Sequence, residues 1–215
     1  VRTDGTVMVG LQVPGGSGDA SRDIAHAIER ALEVEPGTPI GPSALPGPGR
    51  RLQDLLDLAA PFEVAVHPGF DFWLQEDEER TPDVVASMER ANQAAVPTTR
   101  LESVEAAYWC EIRGRNHLRW VVPHEEEPLL DALARLHSRG ADGVGDGSRY
   151  VVSFRAHGLV VPVWDLADGT PAEAVEEPVA AFAERLGAAL AEPSPLTAEE
   201  RRARAGLASR QLTLR

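Results

Sequence analysis

Three stretches of the chain alternate apolar and polar positions, turn, and alternate again. Residues 62–66 set Phe62, Val64 and Val66 against Glu63 and Ala65, turn at His67-Pro68-Gly69, and return over 70–74. Residues 107–113 turn at Gly114-Arg115-Asn116 and return over 117–122. Residues 150–155 turn at Ala156-His157-Gly158 and return over 159–164. A period of two broken by a tight turn predicts three β-hairpins. Each carries a tryptophan late in its second strand: Trp73, Trp120 and Trp164.

A helical period follows each hairpin. Thr81-Pro82 supplies a cap and a first-position proline, ahead of Val84, Val85 and Met88. Leu129, Leu130, Leu133 and Leu136 form one stripe, and Val175, Val179, Phe182, Leu186 and Leu190 form another. Glu126-Glu127-Pro128 with Arg135-Leu136 recurs fifty residues on as Glu176-Glu177-Pro178 with Arg185-Leu186, five identities in eleven positions. This self-similarity predicts a repeat. The N-terminus fits as a shortened copy, with a turn at Asp4-Gly5, a strand over 6–13, and a helix over 21–34 bearing Ile24, Ile28 and Leu32 on one face.

The expected fold is therefore α+β: tandem ββα units whose antiparallel sheets carry helices packed on one face. Residues 1–60 would hold the truncated first unit, a Pro/Gly-rich arm (35–50) and a short helix (52–58). Residues 61–195 would hold three units, and 196–215 a basic C-terminal helix and tail. Residues 140–147 read as a flexible connection, and the spacing of Asp142 and Asp146 matches no calcium loop. The start at Val1, without an initiator Met, reads as a fragment of a longer protein.

Composition narrows the chemistry. All 21 basic residues are arginine, which removes Schiff-base and P-loop lysines. Cys110 is the single cysteine, so no internal disulfide or cysteine-based zinc cluster is possible, and a reducing, cytoplasmic setting fits. The net charge of −13 opposes nucleic acid and anionic membranes, and no apolar run is long enough to span a bilayer.

The candidate sites are few. Gly15, Gly16, Ser17 and Gly18 lie between a strand-like and a helix-like segment, where backbone amides would cradle a phosphate; the competing reading is a helix cap from Ser17, Asp19 or Ser21. Cys110 sits in apolar company, with His117 or His124 as the partner a nucleophile would need. His67, His117 and His157 fall at or beside turns, and His26, His124 and His137 complete a set with no metal-binding pattern. The acidic runs 76–79 and 125–127 precede helices, as the helix dipole favours. Arg113, Arg115 and Arg119 cluster about one turn. Thr197-Ala198-Glu199-Glu200 is a capping box, and after it come Arg201, Arg202, Arg204, Arg210 and Arg215 with no acid among them. That tail would dock on its own acidic body, on an acidic protein partner, or on RNA.

The segments VEAAYWC, SFRAHGLVVPVWDL, LTAEERRARAGLASRQ and PFEVxVHxGFDFWL resemble an actinobacterial family known only as a domain of unknown function. Members are longer at the N-terminus, and some carry labels such as preprotein translocase subunit or topoisomerase. No ATPase motif or nucleophilic tyrosine signature here supports either activity. The resemblance implies a cytoplasmic protein from a high-GC organism and lends no catalytic residue. Together the readings point to a non-catalytic protein-interaction domain without cofactor or metal. The alternatives are a phosphate-ligand protein or enzyme using residues 15–19, and RNA or ribosome association through the tail.

Overall fold

In the computed structural model the chain forms two compact units, Val1–Gln93 and Ala94–Arg215. The structure describes residues 1–10, 16–38, 40–41, 44–75, 80–156, 158–209 and 211–213, the last three by their backbone alone.

The second unit holds the sheet. Its elements are β1 (Thr98–Arg100), β2 (Ala107–Ile112), β3 (Arg115–Trp120), α3 (Glu126–Ser138), β4 (Arg149–Ala156), β5 (Leu159–Asp165), α4 (Glu176–Leu190), α5 (Ala198–Ser209) and β6 (Gln211–Thr213). The sheet order is β1-β2-β3-β5-β4-β6. Five strands pair antiparallel, and β6 adds to β4 in parallel. The class is α+β, with hairpin, helix, hairpin and helix in succession and the second strands of both hairpins adjacent at the centre. The β3–β5 ladder stops at Val163, one residue short of Pro162, which has no amide proton to contribute. The first hairpin closes earlier than expected. Ile112 pairs with Arg115 across Arg113 and Gly114, whose φ values of +55° and +75° suit a two-residue turn. β3 therefore begins at Arg115, where the sequence suggested 117.

One sheet face and two helices make the core. Ala107, Leu118, Trp120, Tyr150, Val160 and Trp164 from the strands meet Leu129, Leu133 and Leu136 of α3 and Val179, Phe182 and Leu186 of α4. Phe182 is fully buried and lies edge-on to both tryptophans, with ring centroids 6.1 Å from Trp120 and 5.2 Å from Trp164. Each indole donates to a loop entering its own hairpin: Trp120 Nε1 to the Glu105 carbonyl at 2.9 Å, Trp164 Nε1 to that of Asp142 at 2.7 Å. The residues at the fifty-residue offset also act as anchors. Glu126 pairs with Arg155 of β4 (Nε–Oε2 2.7 Å), while Glu176 accepts the amides of Glu102 and Ser103, both at 2.9 Å.

The first unit contains α1 (Ala20–Leu32) and α2 (Pro82–Gln93), with short 3-10 turns at Leu52–Asp54 and Asp71–Trp73. Its Pro/Gly arm wraps α1 through arginine. Arg22 donates to the carbonyls of Gly47 (2.9 Å) and Arg50 (3.0 Å), and Arg30 to that of Gly41 (3.1 Å). A Cβ at Gly49 would lie 2.6 Å from the Arg22 guanidinium, so a side chain there would displace that guanidinium. The Asp4-Gly5 turn forms, with Gly5 N bonded to Arg2 O at 3.0 Å and φ +86° at the glycine.

The hairpin expected over 62–74 does not form. Residues 61–67 have no strand pairing, and the return segment curls into the 3-10 turn at Asp71–Trp73. A lone two-stranded ribbon is marginal in water, and local bonds win instead. Asn92 of α2 accepts the Phe70 amide at 2.7 Å and donates to Asp71 at 3.0 Å. Nor are residues 6–10 a strand, and residues 11–13 of that expected strand lie outside the described residues.

Phe182→Ala should cost about 3–5 kcal/mol by urea unfolding, since the ring is lost from a site both indoles enclose. A loss below about 1 kcal/mol would show that the two indoles close the gap themselves.

Candidate functional site

The glycine loop is already furnished with anions of its own chain. Gly15 lies outside the described residues. Ser17 N donates to Asp23 Oδ2 at 3.0 Å, and Asp19 caps α1 by accepting Arg22 N at 3.1 Å. A Cβ at Gly16 would sit 2.9 Å from Asp23 Oδ2, so that carboxylate occupies the space beside the loop. The Arg22 amide, with Arg51 bonded to the same carboxylate at 3.0 Å, holds the Asp19 carboxyl below the usual range against its partial burial. Two carboxylates thus stand where a phosphate would bind.

Cys110, His117 and Asp165 fall in line across the sheet. Cys110 pairs with His117 and His117 with Asp165, and His117 Nδ1 lies 3.0 Å from Asp165 Oδ1. Arg149 binds the other Asp165 oxygen at 3.2 Å. The order of residues is that of a nucleophile, its base and the base's orienting group. The state of the sulfur is not. Cys110 is 1% exposed, and burial raises its thiol pKa despite the opposing charge of Arg119. A buried, protonated thiol is a poor nucleophile. His67 stacks on Phe72, His137 pairs with Asp142 at 2.6 Å, and His157 lies outside the described residues. Among the described residues no group of three or more His, Cys, Asp or Glu side chains is placed to hold a metal ion.

Two shallow grooves mark the second unit. One, of about 510 Å³, is lined by Arg100, Leu101, Glu102, Val104 and Glu105. The other, of about 460 Å³, contains the His137–Asp142 pair and Ser148. The Ser148 hydroxyl accepts Val144 N at 2.8 Å and donates to Gly145 O at 2.6 Å, so it is engaged as a loop brace.

The basic helix folds back on α3. Arg204 binds Asp131 (Nε–Oδ1 2.6 Å) and Glu127, and Leu207 is buried in the core. Arg201 donates to the Leu196 carbonyl, and Arg202 is exposed with no ion-pair partner among the described residues. Arg210 and Arg215 lie outside the described residues. The capping box closes reciprocally: Thr197 N donates to Glu200 Oε2 at 2.8 Å, and Glu200 N to Thr197 Oγ1 at 3.2 Å. Glu200 is 4% exposed and meets Arg135 at 3.6 Å and Arg139 at 3.3 Å. The Thr197 amide leads in holding its carboxyl below the ordinary range, outweighing burial, with the Thr197 hydroxyl and both arginines assisting.

Sequence reasoning missed the apolar surface of the first unit. Among the described residues every large apolar side chain that is exposed, Val96 excepted, belongs to the first unit, from Leu32 to Val85. Phe62 is 89% exposed, and Val64 and Val66 are about two-fifths exposed. Beside them in the chain, Phe72 stacks on His67 at 4.5 Å and tilts against Phe70 and Trp73 at 6.3 and 5.6 Å. Arg2 reaches the Phe72 carbonyl, and Thr3 Oγ1 bonds Gln75 at 2.8 Å, bracing this aromatic turn. The alternation at 62–66 could not reveal the exposure, because a paired and an unpaired strand share one pattern.

Two measurements test these assignments. In the native state Cys110 should react with a thiol reagent only as fast as the fold opens, and unfolding should release it; rapid native labelling would restore the nucleophile reading. Glu200 has a folded pKa below its unfolded value, so its contribution is full above the ordinary glutamate range and is lost as pH falls through the lowered value. Glu200→Gln should therefore be less stable than the parent at neutral pH, with the gap narrowing in acid unfolding series. A gap independent of pH would deny the carboxylate this role.

No curated protein and no solved structure shows a significant match to the chain. One family profile covers residues 1–215. The chain belongs to DUF5926, a family of unknown function.

Proposed function

We propose that this chain is a non-catalytic protein-interaction domain that binds through the first unit. The observation that carries the reading is the set of exposed apolar side chains of the first unit between Leu32 and Val85, above all Phe62, Val64, Val66 and the ring cluster of Phe70, Phe72 and Trp73. Exposed aromatic and aliphatic groups gathered in one unit are a mark of contact surfaces. The chemistry elsewhere supports it. The thiol is buried, the glycine loop faces carboxylates, and Ser148 is engaged. The second unit serves as a scaffold, its two hairpin–helix segments being copies of one module. A free, buried cysteine fits a reducing compartment such as the cytoplasm. No helix among the described residues is long and apolar enough to cross a membrane.

The test is affinity capture from native lysate with the parent chain and with Phe62→Ser/Phe72→Ser. A defined set of proteins should be retained by the parent and lost by the variant, whose fold is checked by circular dichroism. Equal retention by both, or a steady small-molecule turnover by the purified protein, would refute the reading.

A further inference from the structure

The arginines about the first hairpin of the second unit find no acid among the described residues. Eight other arginines there hold a carboxylate, in keeping with 34 acids against 21 bases. The side chains of Arg100, Arg113, Arg115 and Arg119 make no hydrogen bond or ion pair to another described residue. Arg100, Arg113 and Arg115 are exposed, and Arg119 is half-buried.

Arg113 sits in the turn itself, and the register brings the other three to one sheet face. Ala107, Trp109, Leu118 and Trp120 face the core. Tyr108 and Ile112 of β2, with Arg115 and Arg119 of β3, therefore point to the opposite side. Arg100 of β1 stands opposite Tyr108, and Tyr108 opposite Arg119. A tyrosine thus lies between two arginine positions about 10 Å apart. Ile112 stands opposite Arg115, about 13 Å along β3 from Arg119. In the row between, the charge of Arg119 reaches Cys110, where it opposes the rise that burial causes in the thiol pKa. The acid of that row, Asp165, is taken by His117 and Arg149. Glu111 pairs with Asn116 and points to the core side. Glu102 and Glu105 line a groove with Arg100 but form no ion pair with it.

Charge and spacing choose the occupant. A guanidinium receives a carboxylate through two parallel hydrogen bonds. Three arginine positions about 10 and 13 Å apart, with Tyr108 and Ile112 among them, match a short segment that carries several carboxylates and apolar side chains between. A long polyphosphate fits less well, since it would pass Glu102 and Glu105 on a chain of net charge −13. We infer that the β1–β3 end of the sheet binds an acidic segment of a partner protein through Arg100, Arg115 and Arg119. This contact uses none of the apolar side chains on which the interaction reading of the first unit rests, so either can fail alone.

The probe is a synthetic peptide of about ten residues alternating glutamate and valine, long enough to span the arginine positions at about 3.3 Å per residue. Its controls are an arginine–valine peptide of the same length and a single-stranded RNA of matching length. Binding to the full chain is read by fluorescence anisotropy at about 0.05 M salt, where surface charges are weakly screened, and is located by amide chemical shifts. The glutamate peptide should bind and should move amides of β1, β2 and β3. Arg100→Gln/Arg115→Gln, at two exposed positions, should weaken it at least about tenfold. Arg80→Gln/Arg202→Gln removes as much charge from exposed positions outside the sheet and should change it less than about twofold.

Equal loss in the two double variants, or equal affinity for the arginine peptide, would reduce the effect to general attraction and overturn the inference. RNA bound more tightly than the peptide through the same arginines would make phosphate the ligand and overturn it too. So would no binding, amide shifts confined to other residues, or self-association of the free chain that Arg100→Gln/Arg115→Gln abolishes.

Discussion

The edge-on contact of Phe182 with Trp120 and Trp164 organises the second unit. An indole brings a large apolar surface into the core together with one N–H that must find an acceptor there. Trp120 and Trp164 meet that need at carbonyls of the loops leading into their own hairpins. Each ring therefore joins three things at once: the central strands, the α4 helix, and an otherwise irregular connection. Trp109 of β2 also ties a loop, donating to the Thr170 carbonyl at 2.9 Å. The sheet's long loops are tied by the groups that fill its core.

A second set of constraints is ionic and concerns α3. Arg135 is 6% exposed and meets Glu200, while its guanidinium also reaches the Ser194 carbonyl. Arg185, fifty residues on, gives Nη2 to the Gly143 carbonyl at 2.9 Å. A buried charge such as that of Arg135 persists where its hydrogen bonds are met, and removing one partner leaves the other stranded. The arginine-rich helix is thus drawn into the fold by acids of α3, in accord with the chain's large excess of carboxylates. Arg204 in particular is engaged between Glu127 and Asp131, which leaves it little freedom to serve an outside partner.

The two units contrast in how they treat apolar residues. In the second the large ones, Val96 apart, are covered or partly covered, most of them between a sheet face and two helices. In the first they remain on the surface, around a turn held by Asn92 and Arg2. The ring cluster is held by polar contacts to its backbone, so its apolar faces stay available. That division, a closed core in one unit and exposed apolar side chains in the other, is the basis of the interaction proposal.

Much of the second unit was legible in the chain itself. Strict alternation around turn residues marked both hairpins, and the leucine and valine spacing marked α3 and α4. The capping box at Thr197 and Glu200 located α5, because all these signals are local and each is set by the geometry of its own element. Pairing was beyond that reach. Phe62, Val64 and Val66 pair with no strand among the described residues, and Phe70, in the expected return strand, is bonded instead to Asn92, twenty-two residues away along the chain. The parallel addition of β6 to β4, the alignment of Cys110, His117 and Asp165, and the seating of Arg204 on α3 were likewise settled by which surfaces met. Local periodicity defines which side of an element is apolar; only the assembled fold decides what, if anything, covers it.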